Sequence, residues 1–132
     1  MLYMLDTNIC AYILKNRPIT VKAHFDDVPP ESLAISAIVM AELAFGVELQ
    51  PGNERLRRQV ADFTSRLRVI PWDDGAARHY GNIRADLHRA GAMVGNMDIL
   101  IAAHARALGA TLVSNNLREF ERIPGLLTEN WI

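Results

Sequence analysis

Short apolar runs alternate along this chain with longer segments in which apolar residues recur at helical spacing. The runs are only three or four residues long, which suits a strand and is too short for a buried helix. Strands separated by helices are typical of parallel sheets, because a crossover helix must carry the chain back before the next strand can start. We therefore predict an α/β fold, a three-layer α/β/α sandwich with a central, mostly parallel sheet of four or five strands. The predicted strands are residues 2–5, 33–35, 68–70 and 111–113, with a short edge strand at 126–128 as the fifth.

Turn and capping residues place the helices between these strands. Ser36 is a favourable N-cap for the helix that follows the second strand. Gly91 and Gly109 end two later helices. Asn96 is expected to cap the helix that begins at Met97. The predicted helices are residues 7–16, 19–27, 54–66, 74–89 and 97–108, together with the helix after Ser36 that contains Glu42.

The composition predicts one globular domain, residues 1–132, with a full hydrophobic core. Half of the residues are hydrophobic and the formal net charge is −1, so bulk electrostatic attraction to nucleic acid is not indicated. Apolar stretches stay below the ~18 residues that a membrane-spanning helix needs. The N-terminal segment lacks the basic region of a secretory signal, and the single Cys10 fits a reducing compartment. We expect a cytoplasmic protein without a membrane segment.

Three carboxylates stand alone in segments that are otherwise apolar. Asp6 ends the first predicted strand, Glu42 is the only charge between residues 37 and 47, and Asp98 opens an apolar helix. Burying an unpaired carboxylate is costly, so these positions indicate that the acids gather around a positive group, for which a divalent metal ion is the obvious candidate. Two of them also have a structural alternative, because Asp6 can cap a helix and Asp98 can interact with a helix dipole.

The topology of a parallel sheet would bring these residues together. Ligands bind beyond the carboxyl ends of the strands, where Asp6 and residues 114–116 follow the first and fourth strands. Glu42 lies about two turns into its helix and Asp98 lies in the first turn of its own, so both can reach the same rim. Asn116 can reach it as well, or it can form an Asx-turn instead. The histidines lack the spacing of zinc ligands, so a zinc site is not expected.

Several segments resemble the motifs of PIN-domain ribonucleases, in the right order and almost from end to end. Within that family the pattern is most like that of the VapC-type toxins of bacterial toxin–antitoxin pairs. The matching segments are MLDTN at 4–8, AEL at 41–43 with Gly46, GNMD at 95–98 followed by IAAHA at 101–105, SNNLREF at 114–120, and NW at 130–131.

The resemblance implies a Mg²⁺- or Mn²⁺-dependent endoribonuclease that is inhibited by a cognate antitoxin and forms a homodimer. It implies a structured RNA substrate, such as a tRNA or ribosomal RNA loop, cut by water to leave 5′-phosphate and 3′-hydroxyl ends. We expect Arg side chains near the rim to contact the RNA phosphates. Many relatives carry Asp where this chain has the neutral Asn116. The implied catalytic residues are Asp6, Glu42, Asp98 and Asn116, of which the first three are the metal ligands, with Thr7, Asn8, Ser114 and Asn115 in supporting positions.

Two other functions compete with this one. A haloacid-dehalogenase-like phosphatase needs a second Asp two residues after the first, where this chain has Asn8, and a receiver domain needs a Lys on its last strand, which is absent. A catalytically silent PIN-like module that binds RNA or protein stays open, because Asn116 removes one negative charge from the site. RNA cleavage in the presence of Mg²⁺ and its loss in EDTA would distinguish the nuclease from both.

Overall fold

Five strands form one sheet in the part of the chain that the structure, a computed structural model, describes, which is residues 1–92 and 94–132. They are β1 (Tyr3–Leu5), β2 (Leu33–Ser36), β3 (Arg68–Ile70), β4 (Thr111–Val113) and β5 (Leu127–Glu129). Their order is β3-β2-β1-β4-β5, and every neighbouring pair is parallel. The predicted α/β fold is confirmed, and the sheet is parallel throughout.

Helices connect the strands and cover the sheet. The order of the strands reverses at β1, so right-handed crossovers place the helices before β3 on one face and those after β3 on the other. The helices are α1 (Thr7–Lys15), α2 (Ile19–Asp27), α3 (Ala37–Glu48), α4 (Glu54–Ser65), α5 (Asp74–Arg89), α6 (Asn96–Leu108) and α7 (Leu117–Phe120), with a 3₁₀ turn at Pro30–Ser32.

Side-chain caps begin most of the longer helices. The Ser36 hydroxyl accepts a hydrogen bond of 3.1 Å from the backbone N–H of Ile38 and so caps α3, as predicted. The prediction that Asn96 caps α6 is wrong, because the helix already includes Asn96 and the extended Gly95 precedes it. An N-cap residue has to lie outside the helical dihedral region, so a residue that has entered the helix cannot serve as one.

The hydrophobic core is centred on the two middle strands. Met4 and Leu5 of β1 and Leu112 and Val113 of β4 are fully buried. Burial on both faces of a sheet explains why these strands read as continuous apolar runs rather than as alternating ones. Near the C-terminus, the buried Trp131 ring stacks on His24 of α2, with ring centroids 5.3 Å apart.

The strand order reverses between β1 and β4, which run side by side in the sheet. The backbone N–H of Asp6 donates to the carbonyl of Val113 over 3.1 Å, so the chain leaves both strands at the same edge. Ligands of open parallel sheets bind at such a point. Among the helices that the structure describes, none is both long enough and apolar enough to cross a bilayer.

Candidate active site

Asp6 lies directly after β1 and has only 5% of its surface exposed. Its Oδ1 accepts the Ile9 N–H over 2.9 Å, so Asp6 does cap α1. The Ser114 hydroxyl donates to the same carboxylate. Burial raises the pKa of Asp6 and the charge of Glu42 adds to the rise, while these hydrogen bonds oppose it. Asp6 therefore combines a structural role with a place on the site rim.

Glu42 projects from α3 toward the start of α1. Its Oε1 accepts a hydrogen bond of 2.6 Å from the Thr7 hydroxyl, and Glu42 itself is half-buried. Thr7 thus orients the Glu42 carboxylate at the residue that follows Asp6. This contact confirms that the first and second matching segments meet in space, although 35 residues separate them in the sequence.

Asp98 completes the predicted set of carboxylates from the first turn of α6. Its pKa rises to about 6, chiefly because the half-buried carboxyl is desolvated. Negative charge on Glu119, Asp6 and Glu42 contributes further to this rise. A carboxyl group responds in this way only to neighbouring charges that are not screened by water. Asp6, Glu42 and Asp98 therefore lie near one another, and their roles as metal ligands and catalytic residues stay predictions.

Glu119 on α7 is an acidic site residue that the sequence analysis did not single out. It is half-buried, and its carboxylate accepts a hydrogen bond from protonated Asp98, which stabilises the proton on Asp98. The available signal was its place in the segment SNNLREF, which resembles a PIN-domain motif, within the first turn of α7. The site thus contains four acids from four different helices or helix starts.

The polar residues after β4 have different surroundings. Ser114 is fully buried, and its hydroxyl also accepts the backbone N–H of Asn116 over 2.9 Å. The Asn115 amide donates to the Tyr12 hydroxyl over 3.3 Å. Asn116 is exposed and its side chain does not cap α7, so the predicted Asx-turn alternative is not observed. Asn8 is exposed beside Asp6. A catalytic role for Asn116 stays a prediction.

The donor set suits a hard divalent cation. Asp6, Glu42, Asp98 and Glu119 supply carboxylate oxygens, which Mg²⁺ and Mn²⁺ prefer as ligands. Within residues 1–92 and 94–132, no three Asp, Glu, His or Cys side chains already lie close enough together to enclose an ion. Like charges repel one another, and Mg²⁺ commonly binds through one or two carboxylates with water in its other positions. The residues therefore fit such an ion by chemistry and charge, with side-chain movement needed to close on it.

A buried hydrogen bond joins the two helices that carry Glu42 and Asp98. Nδ1 of His104 on α6 lies 2.7 Å from the hydroxyl oxygen of Ser36, and both side chains are at most 1% exposed. Because Ser36 already accepts the Ile38 N–H, its own proton is available to His104 Nδ1. Desolvation lowers the pKa of His104 and so favours the neutral ring, whose tautomer decides which of the two groups donates.

Fold and site together define a class of protein, a parallel α/β domain with an acidic site at the point where its strand order reverses. The PIN domain model matches residues 3–126, and the chain belongs to the PIN domain family. The resemblance found in the sequence is therefore confirmed.

Named relatives and solved structures match the chain along nearly its whole length. The chain is 46% identical to "Ribonuclease VapC2" of Haemophilus influenzae, over 98% of both chains. It is 44% identical to "tRNA(fMet)-specific endonuclease VapC" of Shigella flexneri, over 98% of this chain and 97% of that one. The crystal structure of VapBC2 from Rickettsia felis, bound to a DNA fragment from their promoter, contains a chain that is 41% identical and superposes with a TM-score of 0.92 over 100% of both chains.

Proposed function

We propose that this protein is an endoribonuclease toxin that acts in the cytoplasm and is held inactive by a cognate antitoxin. The observation that carries the proposal is the proximity of Asp6, Glu42, Asp98 and Glu119 near the carboxyl edge of the sheet, although they come from four separate parts of the sequence. Perturbed acids that converge on one site are a usual sign of a catalytic site. Membership of the PIN domain family and the names of the relatives support the same activity.

We propose Mg²⁺ or Mn²⁺ as the cofactor, held by Asp6, Glu42 and Asp98 with Glu119 as a fourth acid. When bound, such an ion makes water more acidic and neutralises charge on the phosphate under attack. Thr7 keeps Glu42 in position through their 2.6 Å hydrogen bond, and Ser114 does the same for Asp6. In the metal-free protein the pKa of Asp98 is raised to about 6, and a bound cation would lower it and keep the carboxylate charged for coordination.

The proposed substrate is a structured RNA with an exposed loop. A relative is named as an endonuclease specific for tRNA(fMet), which supports a tRNA or a similar hairpin. Asp6 is buried and the other three acids are half-buried, and a single-stranded loop lets a phosphodiester reach such positions more easily than a duplex does. Attack by water would free the 3′ oxygen and leave the phosphate on the 5′ end of the downstream fragment.

Purified protein free of antitoxin is expected to cut RNA only when a divalent cation is present. Total RNA would be incubated with the protein in Mg²⁺, in Mn²⁺ and in EDTA, and the fragments would be mapped and their ends identified. We expect 5′-phosphate and 3′-hydroxyl ends with either metal and intact RNA in EDTA. Fragments with 2′,3′-cyclic phosphates would contradict the proposed attack by water. Intact RNA under all conditions, with RNA still bound, would favour the catalytically silent module.

The cognate antitoxin is the proposed protein partner, and a groove beside the acidic site suits it. Solved relatives are complexes of the VapBC type. The groove lies between α1, α3 and α4, has a volume of about 270 Å³, and includes Leu14, Gly46 and Val60 with Glu42 at its edge. Phe45, 65% exposed, stands one turn after Glu42 on α3. An antitoxin segment with apolar side chains and a cation directed at Glu42 would match this surface.

Phe45→Glu is expected to weaken antitoxin binding by about tenfold or more, because it places a charge where an apolar contact is proposed. RNA cleavage by the free protein should fall much less than antitoxin binding does, since Phe45 is exposed and is not one of the four acids. Binding would be measured by calorimetry with the purified cognate antitoxin. Ile19→Glu is the matched control, because Ile19 is 76% exposed on α2. If the two variants bound the antitoxin with equal affinity, the antitoxin would bind at a surface other than this groove.

A homodimer stays a prediction, for which the resemblance to the VapC-type toxins is the support.

A further inference from the structure

A recess opens between α5 and the first turn of α6, next to Asp98. It has a volume of about 190 Å³, and its walls include Arg84, Leu87, His88, Val94, Asn96 and Ile99. Asn96 and Ile99 stand on either side of Asp98 in the sequence of α6. The Asp98 carboxylate is also turned back toward Gly95, so the recess and the acidic site share one helical turn.

Arg84 brings a positive charge to this recess. Its Nη1 donates to the Tyr80 hydroxyl over 2.8 Å, and its guanidinium carbon lies 5.9 Å from the centre of the same ring. Among the described residues, no carboxylate lies within ion-pair distance of Arg84. By contrast, Arg78 and Arg89 on the same helix each lie 3.3 Å from a carboxylate oxygen, of Asp74 and Asp86 respectively. Arg84 is thus oriented by a neutral partner while its charge stays available.

His88 adds a hydrogen-bond donor on the same side of α5. It follows Arg84 by four residues, which places both side chains on one helix face, and both are exposed. The start of α6, on the opposite wall, carries the positive end of its helix dipole. Buried Leu87 and Ile99 form an apolar floor between the two walls. The recess is therefore polar and cationic at its mouth and apolar at its base.

The size and charge of the recess select its ligand. Sites for small organic molecules usually occupy about 300–1,000 Å³, so a space of about 190 Å³ is too small for most of them. It suits one phosphate with part of a ribose against the apolar floor. The neighbouring acidic site would repel an RNA backbone, and a cation at its side offsets this repulsion. Arg is well suited to the task, because its planar guanidinium binds phosphate oxygens in pairs.

We propose that Arg84 and His88 bind a phosphate of the RNA strand next to the phosphodiester that is cleaved. The recess is then a subsite for the RNA backbone, which holds the strand in register with the acids. This inference rests on the proposed ribonuclease function. Because Arg84 contacts a phosphate that does not react, it contributes about equally to substrate and transition-state binding, so its loss should raise KM and leave kcat nearly unchanged.

Arg84→Gln is expected to raise KM about tenfold, with kcat within a factor of two. The substrate would be a fluorescein-labelled RNA hairpin chosen from the cleavage map of the unaltered protein. KM would be measured over a series of salt concentrations. The slope of log KM against log salt should decrease by about 0.7–1, as expected for the loss of one phosphate contact. The KM of Arg84→Lys, which keeps the charge but not the paired donors, should lie between those of the unaltered protein and Arg84→Gln.

Arg78→Gln is the matched control, since it removes the same charge from the same helix at a position already paired with an acid. It should cleave with unchanged KM and salt slope. Equal behaviour of the two variants, or a loss confined to kcat, would overturn the subsite. So would an altered molar mass in solution with an unchanged salt slope, which would assign Arg84 to a subunit contact. Failure of both the unaltered protein and Arg78→Gln to cleave any RNA would instead overturn the proposed function itself.

Discussion

Replacing Asp98 with Asn will reduce RNA cleavage about 10³-fold and leave the metal-free protein at least as stable as the unaltered chain. Loss of one preorganised charge at a reacting phosphate typically costs roughly 3–4 kcal/mol of transition-state stabilisation, which corresponds to this change in rate. Stability should not fall, because burial and three neighbouring acids already disfavour a charge at Asp98. A neutral amide of the same shape removes that unfavourable interaction.

The pH dependence of stability offers an independent readout of the same substitution. The pKa of Asp98 rises from 3.8 to about 6 in the folded protein, so between these values the folded state binds more protons than the unfolded state. Its contribution to stability therefore falls as the pH rises from about 4 to about 6. His104 acts in the opposite direction, since its lowered pKa makes stability rise with pH up to about 6.5. The difference between Asp98→Asn and the unaltered protein reports the Asp98 contribution together with its coupling to the neighbouring acids.

Asp74→Asn provides a matched control for these measurements. Asp74 also lies in the first turn of a helix, α5, but it is exposed and paired with Arg78. This variant should cleave RNA normally and lose only a few tenths of a kcal/mol through the helix dipole. Mn²⁺ should raise the melting temperature of the unaltered protein and of Asp74→Asn, and much less that of Asp98→Asn. A larger stability loss in Asp98→Asn than in Asp74→Asn would show that Asp98 is mainly structural.

Ser36→Ala is expected to destabilise the protein by about 2–4 kcal/mol. The substitution removes the cap of α3, which typically costs about 1 kcal/mol, and leaves the buried Nδ1 of His104 without its hydrogen bond, which typically costs about 1–3 kcal/mol. Urea denaturation monitored by tryptophan fluorescence would measure the change. Ser65→Ala is the control, because the Ser65 hydroxyl donates to the Asp62 carbonyl at an exposed position. It should change stability by no more than about 0.5 kcal/mol.

A double-substitution cycle distinguishes the proposed bond from a general packing effect. If Ser36 and His104 interact as the structure places them, Ser36→Ala should cost markedly less in a His104→Leu background. Equal costs in both backgrounds would mean that only the cap matters. Because the pair joins α3 to α6, Ser36→Ala should also lower cleavage under conditions in which the protein is still fully folded.

The sequence was most informative where each acid could be tied to the end of a strand or the start of a helix. The runs that became β1 and β4 are buried on both faces, so their apolar character identified them and placed Asp6 and Ser114 at the sheet edge. Glu42 was identified because it is the only charge between residues 37 and 47, an apolar segment within α3. Asp98 was identified because it opens another.

Glu119 was less conspicuous, although it also lies in the first turn of a helix. It lies on the four-residue helix α7 between Arg118 and Phe120, where a charged residue is ordinary surface composition. Its place beside Asp98 depends on how α7 packs near α6, and periodicity does not report such tertiary contacts. Likewise, the choice between Gly95 and Asn96 as the start of α6 depends on one backbone torsion that either residue can adopt.

Asp6 both starts α1 and lies in the acidic site, so one side chain serves folding and chemistry at once. A substitution of Asp6 that abolishes toxicity should therefore also reduce the amount of folded protein. A variant inactivated by substitution of Asp98 would keep its fold and the groove proposed for the antitoxin. Such a variant would still bind antitoxin. It would thereby compete with active toxin in the same cell and leave more of that toxin uninhibited.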